Sequence, residues 1–173
     1  QLIYAIKRFD NNVFIKLFNL LEPDTVEKNL YDLMNFAAEF GNYEVYIYLY
    51  QHPSDVYSSY TSEFFHKHLY LAAKSGNLRI IKYIIDQLPD VLQSLDSYEQ
   101  QELINDALYY NNILVVKYLH NKGIILDEEN LEFAVANDNH ELVDYIIESA
   151  SLNYLSSRLA DMVADRNIDM LLY

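Results

Sequence analysis

The feature that most constrains this chain is a pattern of apolar residues that follows asparagine and recurs along its whole length. An aliphatic residue or methionine lies three positions after each of six asparagines, and an aromatic residue lies six positions after it. These asparagines are Asn12, Asn42, Asn77, Asn112, Asn139 and Asn167. These two apolar residues are three positions apart, and residues with this spacing lie on one face of a helix. Each copy therefore predicts an amphipathic helix with a buried face.

A second, shorter helical segment is predicted before each asparagine, with alanine on one side in most copies. Two residues separate this segment from a turn position that holds glycine, asparagine or aspartate. The turn residues are Gly41, Gly76, Asn111 and Asp138. These residue types tolerate a positive φ, so the column predicts the end of a helix. Apolar runs also precede Gly123 and all three prolines (Pro23, Pro53 and Pro89), which we interpret as further helix stop signals.

This unit resembles the ankyrin repeat, and the best copy is LAAKSGNLRIIKYIID, from Leu71 to Asp86. The resemblance implies an all-α, ankyrin-like solenoid of stacked helix-turn-helix repeats, in which a copy buries its apolar face only against its neighbours. The Thr-Pro-Leu-His box that precedes the inner helix in the family is missing from every copy, so we expect short or degenerate hairpin loops. The abundant Asn, Ile and Tyr are similar in style to arrays of giant DNA viruses, amoebae or intracellular bacteria.

The pattern predicts one array over residues 1–173, in six approximate repeats: 1–23, 24–53, 54–89, 90–123, 124–150 and 151–173. We expect the first and last copies to be atypical, because end repeats lack one neighbour. The stretch from His52 to Glu63 is polar and predicts an extended connector. Since the chain begins with Gln1 rather than methionine, we expect a piece of a longer protein or a processed chain.

Charge and composition restrict the partners. The chain holds 12 basic and 26 acidic residues, and residues 84–173 account for 17 of the acidic and only 4 of the basic ones. A protein that binds phosphates needs clustered Lys and Arg, so we expect no direct binding to nucleic acid. No apolar run approaches the ~20 residues that cross a bilayer. The lack of cysteine suits a reducing compartment, and we expect an intracellular location in cytoplasm or nucleus, of the host cell if this is a viral or bacterial effector.

No motif for catalysis, cofactor or metal binding stands out. His66 and His68 form the only histidine cluster in the sequence. On a helix, side chains two positions apart point away from each other, so the two rings would not share a metal and structural roles are favoured. The three glycines form no phosphate-binding loop, and no serine has a histidine and a carboxylate in a recognisable arrangement. We therefore predict a non-catalytic protein without cofactor or metal.

The resemblance implies that the end of each inner helix and the adjoining loop face a concave groove that contacts partners. The two residues before each turn vary between copies, and exposed aromatic residues there would serve as anchors. Together with an acidic helix start, they form the predicted partner-binding set: Glu39, Phe40, Lys74, Ser75, Tyr109, Tyr110, Asn137, Asp127, Glu128 and Glu129. Two structural alternatives remain open, in which the aromatic residues only cover neighbouring helices and the acidic residues only begin a helix.

From these observations we predict a protein–protein interaction module or adaptor that binds a partner with a basic surface through its concave face and loops. Two other functions remain open at this point. One is an acidic mimic of nucleic acid that blocks a nucleic-acid-binding protein. The other is a regulatory repeat array of a larger enzyme.

Overall fold

The computed structural model describes residues 1–52 and 62–149, and all regular structure in these ranges is helical, as predicted. The helices are α1 (Leu2–Lys7), α2 (Asn11–Phe18), α3 (Pro23–Glu39), α4 (Tyr43–Tyr50), α5 (Ser62–Lys74), α6 (Leu78–Gln87), α7 (Ser97–Tyr109), α8 (Ile113–Asn121), α9 (Glu128–Ala136) and α10 (His140–Ser149). The predicted sixth repeat, including Asn167, lies outside the described residues.

The chain divides into two compact units, the first Gln1–Leu103 and the second beginning at Ile104. In the first unit α1 contacts α2, α3 contacts α4 and α5 contacts α6, which makes three helical hairpins. The inner helices α1, α3 and α5 also contact one another in succession, as do the outer helices α2, α4 and α6. In the second unit α9 and α10 contact each other as a further hairpin.

The outer helices have the amphipathic pattern that the sequence predicts. In α6 the four isoleucines at 80, 81, 84 and 85 are buried, whereas Lys82 and Asp86 are exposed. Burial of one such side chain contributes about 2 kcal/mol, so this face dominates the stability of the helix. On the inner helices an alanine column is buried, and its small side chains allow close helix packing. It consists of Ala5, Ala37, Ala72, Ala107 and Ala134.

The predicted turns are confirmed. Gly41, Gly76, Asn111 and Asp138 have φ of 68°, 69°, 59° and 55°, in the left-handed region. Phe9 has φ of 56° and belongs to the same column, which changes the alignment of the first copy. The sequence pattern aligns that copy on Asn12, but Asn12 lies within α2. The residue after the left-handed turn is Asp10, which is the N-cap of α2.

Two further expectations are wrong. Pro23 is interpreted from sequence as a stop signal, but it is the first residue of α3, where its missing N–H costs nothing and its fixed φ suits a helix. The pattern also predicts that the inner helices are shorter than the outer ones. From the second copy to the fourth they are longer, with 17 residues in α3 and 13 in each of α5 and α7, against 8 to 10 in the outer helices α4, α6 and α8.

Other signals give the right boundaries. α6 ends at Gln87, two residues before Pro89, and α8 ends two residues before Gly123, whose φ is 104°. Pro53 lies outside the described residues. The described connectors at 19–22, 88–96 and 122–127 contain no β strand, as expected from the missing family box. Of the predicted polar connector, Ser62 and Glu63 already belong to α5.

Candidate interaction surface

Asparagines at the helix N-caps hold successive turns together. The Oδ1 atoms of Asn42, Asn77 and Asn139 accept hydrogen bonds from the backbone N–H three residues later, which caps the outer helix. Their Nδ2 atoms donate to the preceding copy, and in two cases the acceptor belongs to the left-handed turn itself. Asn77 donates to the carbonyl oxygen of Gly41, and Asn139 donates to Oδ1 of Asn111. Each such asparagine therefore positions the residues before one turn relative to those before the next.

Tyr109 and Tyr110 are the most exposed aromatic residues of the predicted partner-binding set. Tyr109 is 65% exposed and Tyr110 is 52% exposed. Their rings contact edge to face, with centroids 5.0 Å apart and planes at 76°. They lie at the end of α7, directly before the left-handed Asn111. The pair therefore presents apolar area to solvent at a position held by the helix end and the turn.

The equivalent positions of the first unit have more structural contacts. Phe40 is half-buried, its ring stacks on Phe36 at 6.2 Å, and the Lys7 ammonium lies 5.5 Å from its centroid. Ser75 is also half-buried and donates a hydrogen bond of 2.9 Å to the carbonyl oxygen of Ala38. Glu39 and Lys74, the other members of these two pairs, are exposed. The two positions before a turn thus have different surroundings in different copies.

The acidic segment at 127–129 starts a helix, as the structural alternative predicts. Asp127 accepts a hydrogen bond from the N–H of Asn130 at 3.2 Å, and Asn130 Oδ1 accepts one from the N–H of Asp127 at 2.8 Å. This reciprocal capping box satisfies two backbone donors at the start of α9. Glu128 is half-buried, whereas Glu129 is exposed. Asn137, at the other end of α9, is exposed and donates to the carbonyl oxygen of Phe133.

Many of the positive charges lie over aromatic rings. The closest such pair is on the outer helices, where the Arg79 guanidinium lies 3.8 Å from the Tyr43 centroid and also bonds Glu44 at 3.0 Å. In the second unit Lys117 lies 5.1 Å from the Tyr145 centroid and Lys122 lies 5.5 Å from the Tyr118 centroid. These lysines are the only two basic residues between 104 and 149, against nine acidic ones. The described surface of this unit is therefore strongly acidic.

The two histidines of the cluster have separate structural partners. His68 is fully buried, its Nδ1 lies 2.8 Å from the Tyr46 hydroxyl, and its ring is 4.0 Å from that of Phe64. Burial, and secondarily the charge of Lys67, lowers the pKa of His68 to about 3, so the ring is neutral at neutral pH. His66 instead contacts Ser94. No group of three or more His, Asp or Glu in the described ranges could hold a metal ion.

The pairing of His66 with Ser94 is a contact that sequence reasoning missed, because 28 residues separate the two. The Nε2 atom lies 2.8 Å from Ser94 Oγ, and a groove of about 290 Å³ lined by Ser62, Phe65, Ser94 and the segment 88–91 lies beside them. A Ser–His pair beside a groove is the arrangement of an activated nucleophile. Here, however, the Ser94 hydroxyl donates to the carbonyl oxygen of Val91 at 2.8 Å. The hydroxyl proton is therefore directed away from the imidazole, and the pair is typical of a structural turn.

On the outer helices three tyrosines pack together. The Tyr83 ring contacts those of Tyr50 and Tyr43, with centroid distances of 5.2 and 6.4 Å. Burial raises the pKa of the Tyr83 hydroxyl, and the two neighbouring tyrosines raise it further. Tyrosine suits such a position because its ring packs against neighbouring helices while its hydroxyl forms a polar tip.

Comparison with known proteins identifies no relative: no family model, curated protein or solved structure matches the chain. None of the described helices combines the length and the apolar character that a membrane span requires.

Proposed function

We propose that this chain is an ankyrin-like array that binds a partner protein inside the cell without catalysing a reaction. The helical hairpins, the regular left-handed turns and the asparagines that link successive turns support this architecture. In such an array the fold holds the ends of the inner helices in a row, and specificity depends on the side chains placed there.

The observation that carries the proposal is the exposed pair Tyr109–Tyr110 in the acidic second unit. Large aromatic side chains bury much area at a small cost in rotamer entropy, which makes them suitable anchors in an interface. The surrounding negative charge favours a partner with a basic surface and increases the association rate at low salt.

The structure also indicates which acidic residues are suitable for a test. The charge pattern alone predicts that charge reversal of Asp127, Glu128 and Glu129 weakens binding through the association rate. Because Asp127 caps α9, its charge reversal would also weaken the helix, so a loss of binding could not be assigned to charge alone. Glu129 is exposed and lies outside the capping box, so Glu129→Lys changes the charge with the smallest structural effect.

The experiment is affinity capture from the source cells, followed by mass spectrometry, with three versions of the chain. The test variant carries Tyr109→Ser and Glu129→Lys. The matched control carries Leu114→Ser and Asp144→Lys, which remove one exposed apolar residue and one exposed acidic residue from the outer helices. We expect proteins with basic surfaces to be retained by the wild type and the control, lost from the test variant, and eluted by salt.

If all three versions capture the same proteins, or none is captured above background, the proposal is wrong. If the captured proteins bind nucleic acid and competing DNA releases them, the chain acts as an acidic mimic, the alternative that its composition left open.

A further inference from the structure

The first unit shows how this protein stabilises aromatic residues of its inner helices. Three of these rings have a cation from the same chain at their face, which is a favourable electrostatic arrangement. The pairs are Arg8 with Tyr4, Lys67 with Tyr31 and Lys7 with Phe40, at 5.5, 5.1 and 5.5 Å from cation to ring centroid. In the second unit Tyr110 holds the position of Phe40, directly before the left-handed turn residue, and Tyr109 contacts it.

Within the part of the chain that the structure describes, no cation lies over Tyr109 or Tyr110. Lys117 and Lys122, the two basic residues described in this unit, lie over Tyr145 and Tyr118 instead. The tyrosine pair therefore has the exposure and the aromatic face of the first-unit sites but lacks their cation. The contact between the two rings covers only one side of the pair.

Two hydrogen bonds place α9 beside the end of α7, which carries the pair. Asn130 Nδ2 donates to Asn105 Oδ1 at 2.8 Å, and Asn139 Nδ2 donates to Asn111 Oδ1, so α9 runs alongside the end of α7 in the same direction. Glu129 is adjacent to Asn130 in the chain and is exposed. Since Tyr109 is four residues beyond Asn105, it lies roughly 6 Å further along the helix axis than this contact.

Glu129 lies one residue before Asn130, or roughly 1.5 Å back along the axis of α9. The level of Glu129 is thus within about two helical turns of that of Tyr109. An extended ligand that contacts the ring can reach this carboxylate with a neighbouring side chain.

We propose that the surface formed by Tyr109, Tyr110 and Glu129 binds an extended, arginine-rich segment of the partner, with one guanidinium stacked on the free face of Tyr109 and a flanking basic residue directed to Glu129. The inference rests on the proposed function and specifies its ligand. Arginine fits better than lysine because a planar guanidinium stacks on an aromatic face and keeps its N–H groups available for carboxylates. The partner supplies the cation that the first unit supplies from its own chain.

The test uses a fluorescein-labelled octapeptide of alternating Arg and Gly, with fluorescence anisotropy as the readout. A second peptide has citrulline, a neutral side chain of nearly the same shape, in place of each arginine. The protein variants are Tyr109→Leu, which removes the aromatic face, Tyr109→Phe, which keeps it, and Glu129→Lys, which reverses the nearby charge. Tyr4→Leu is the matched control, because the Tyr4 ring already has Arg8 beside it.

We expect the arginine peptide to bind the wild type, Tyr109→Phe and Tyr4→Leu with affinities within about twofold of one another. Tyr109→Leu should weaken binding by about threefold to fivefold, as expected for one exposed cation–π contact. The citrulline peptide should lose at least about tenfold, because it lacks both the cation–π and the ionic contributions. Since Tyr109 is largely exposed, unchanged thermal unfolding of the variants is the expected folding control.

If Tyr109→Leu binds as tightly as the wild type while Glu129→Lys weakens binding, the arginine–tyrosine contact is refuted but the proposed basic partner is not. If neither substitution changes the affinity, or the wild type does not bind the arginine peptide, the inference is overturned. Capture results that are the same for wild type and test variant would then refute the proposed function separately.

Discussion

Replacement of Asn42 by aspartate would isolate the contribution of the hydrogen bonds that link one repeat to the next. Asn42 is fully buried, and its Oδ1 accepts from the N–H of Val45 at 3.2 Å. Its Nδ2 donates to the carbonyl oxygen of Ile6 at 3.0 Å and to Asn11 Oδ1 at 2.9 Å. Aspartate has the same shape and keeps the acceptor that caps α4, but it replaces the donor with an oxygen that faces two other acceptors.

The magnitude follows from these contacts. Two hydrogen bonds are lost at about 1 kcal/mol each, and a buried carboxylate oxygen next to two acceptors costs about 2 kcal/mol more. A charged cap interacts better with the helix dipole, which offsets about 0.5 kcal/mol. We therefore expect Asn42→Asp to lower the free energy of unfolding by about 3 to 4 kcal/mol at pH 7. Asn42→Ala, which also loses the cap, should cost about 3 kcal/mol without introducing a charge.

The assay is urea unfolding followed by circular dichroism at 222 nm, with Asp10→Asn as the control. Asp10 caps α2 in the same way, is exposed, and retains a cap as asparagine, so this change should alter stability by less than about 0.5 kcal/mol. In Asn42→Asp, burial should raise the pKa of the introduced carboxyl above its unfolded value. The deficit relative to the wild type should therefore shrink as the pH falls below that raised pKa. A stability of Asn42→Asp within about 0.5 kcal/mol of the wild type at pH 7 would refute the proposed role of Nδ2.

Three further predictions concern other sites. His68 has a pKa of about 3 in the folded state, below its unfolded value of about 6.5. Its contribution to the free energy of unfolding is therefore complete above pH 6.5 and is lost as the pH falls toward 3, by about 4 to 5 kcal/mol in total. His68→Leu should remove this acid sensitivity in unfolding measured from pH 7 to 3, and an unchanged pH profile would contradict the assignment. Phe9 is 56% exposed and has φ of 56°, a conformation that asparagine tolerates better than phenylalanine. Phe9→Asn should therefore increase the free energy of unfolding by about 0.5 to 1 kcal/mol and raise the thermal midpoint, whereas Phe9→Ala should do neither. Arg79→Lys keeps the charge near Glu44 but not the planar stack on Tyr43. It should lower the free energy of unfolding, measured with urea, by about 0.5 kcal/mol. A larger loss would mean that the stack contributes more than an exposed pair normally does.

Much of the repeat could be predicted from sequence because its signals are local. The left-handed turns at Gly41 and Gly76 and the helix start at Asp127 each depend on residues within three or four positions of one another. The first copy is misaligned for a related reason. At Phe9 an unsuitable residue adopts the left-handed conformation, and no local pattern indicates that Asp10 rather than Asn12 begins the outer helix.

The surroundings of the candidate surface could not be predicted in the same way. Phe40 and Tyr109 occupy related places before a turn, and the sequence treats them alike as anchors. Only the packed structure places Lys7 over Phe40, and only the packed structure leaves Tyr109 65% exposed. The bond between Ser75 and Ala38 likewise joins residues 37 positions apart, which no spacing rule anticipates.

The sequence alone determined that this chain forms repeated amphipathic helices, where most of them turn, and that its second half is strongly acidic. Periodicity, tolerance of positive φ and charge are properties of short segments or simple sums, so no coordinates are needed to recognise them. Tertiary structure decided which cations cover which rings, which asparagines join successive turns, and which tyrosines remain available to a partner. These outcomes depend on side chains that meet across about 20 to 40 residues, and their contacts exist only once neighbouring helices have packed.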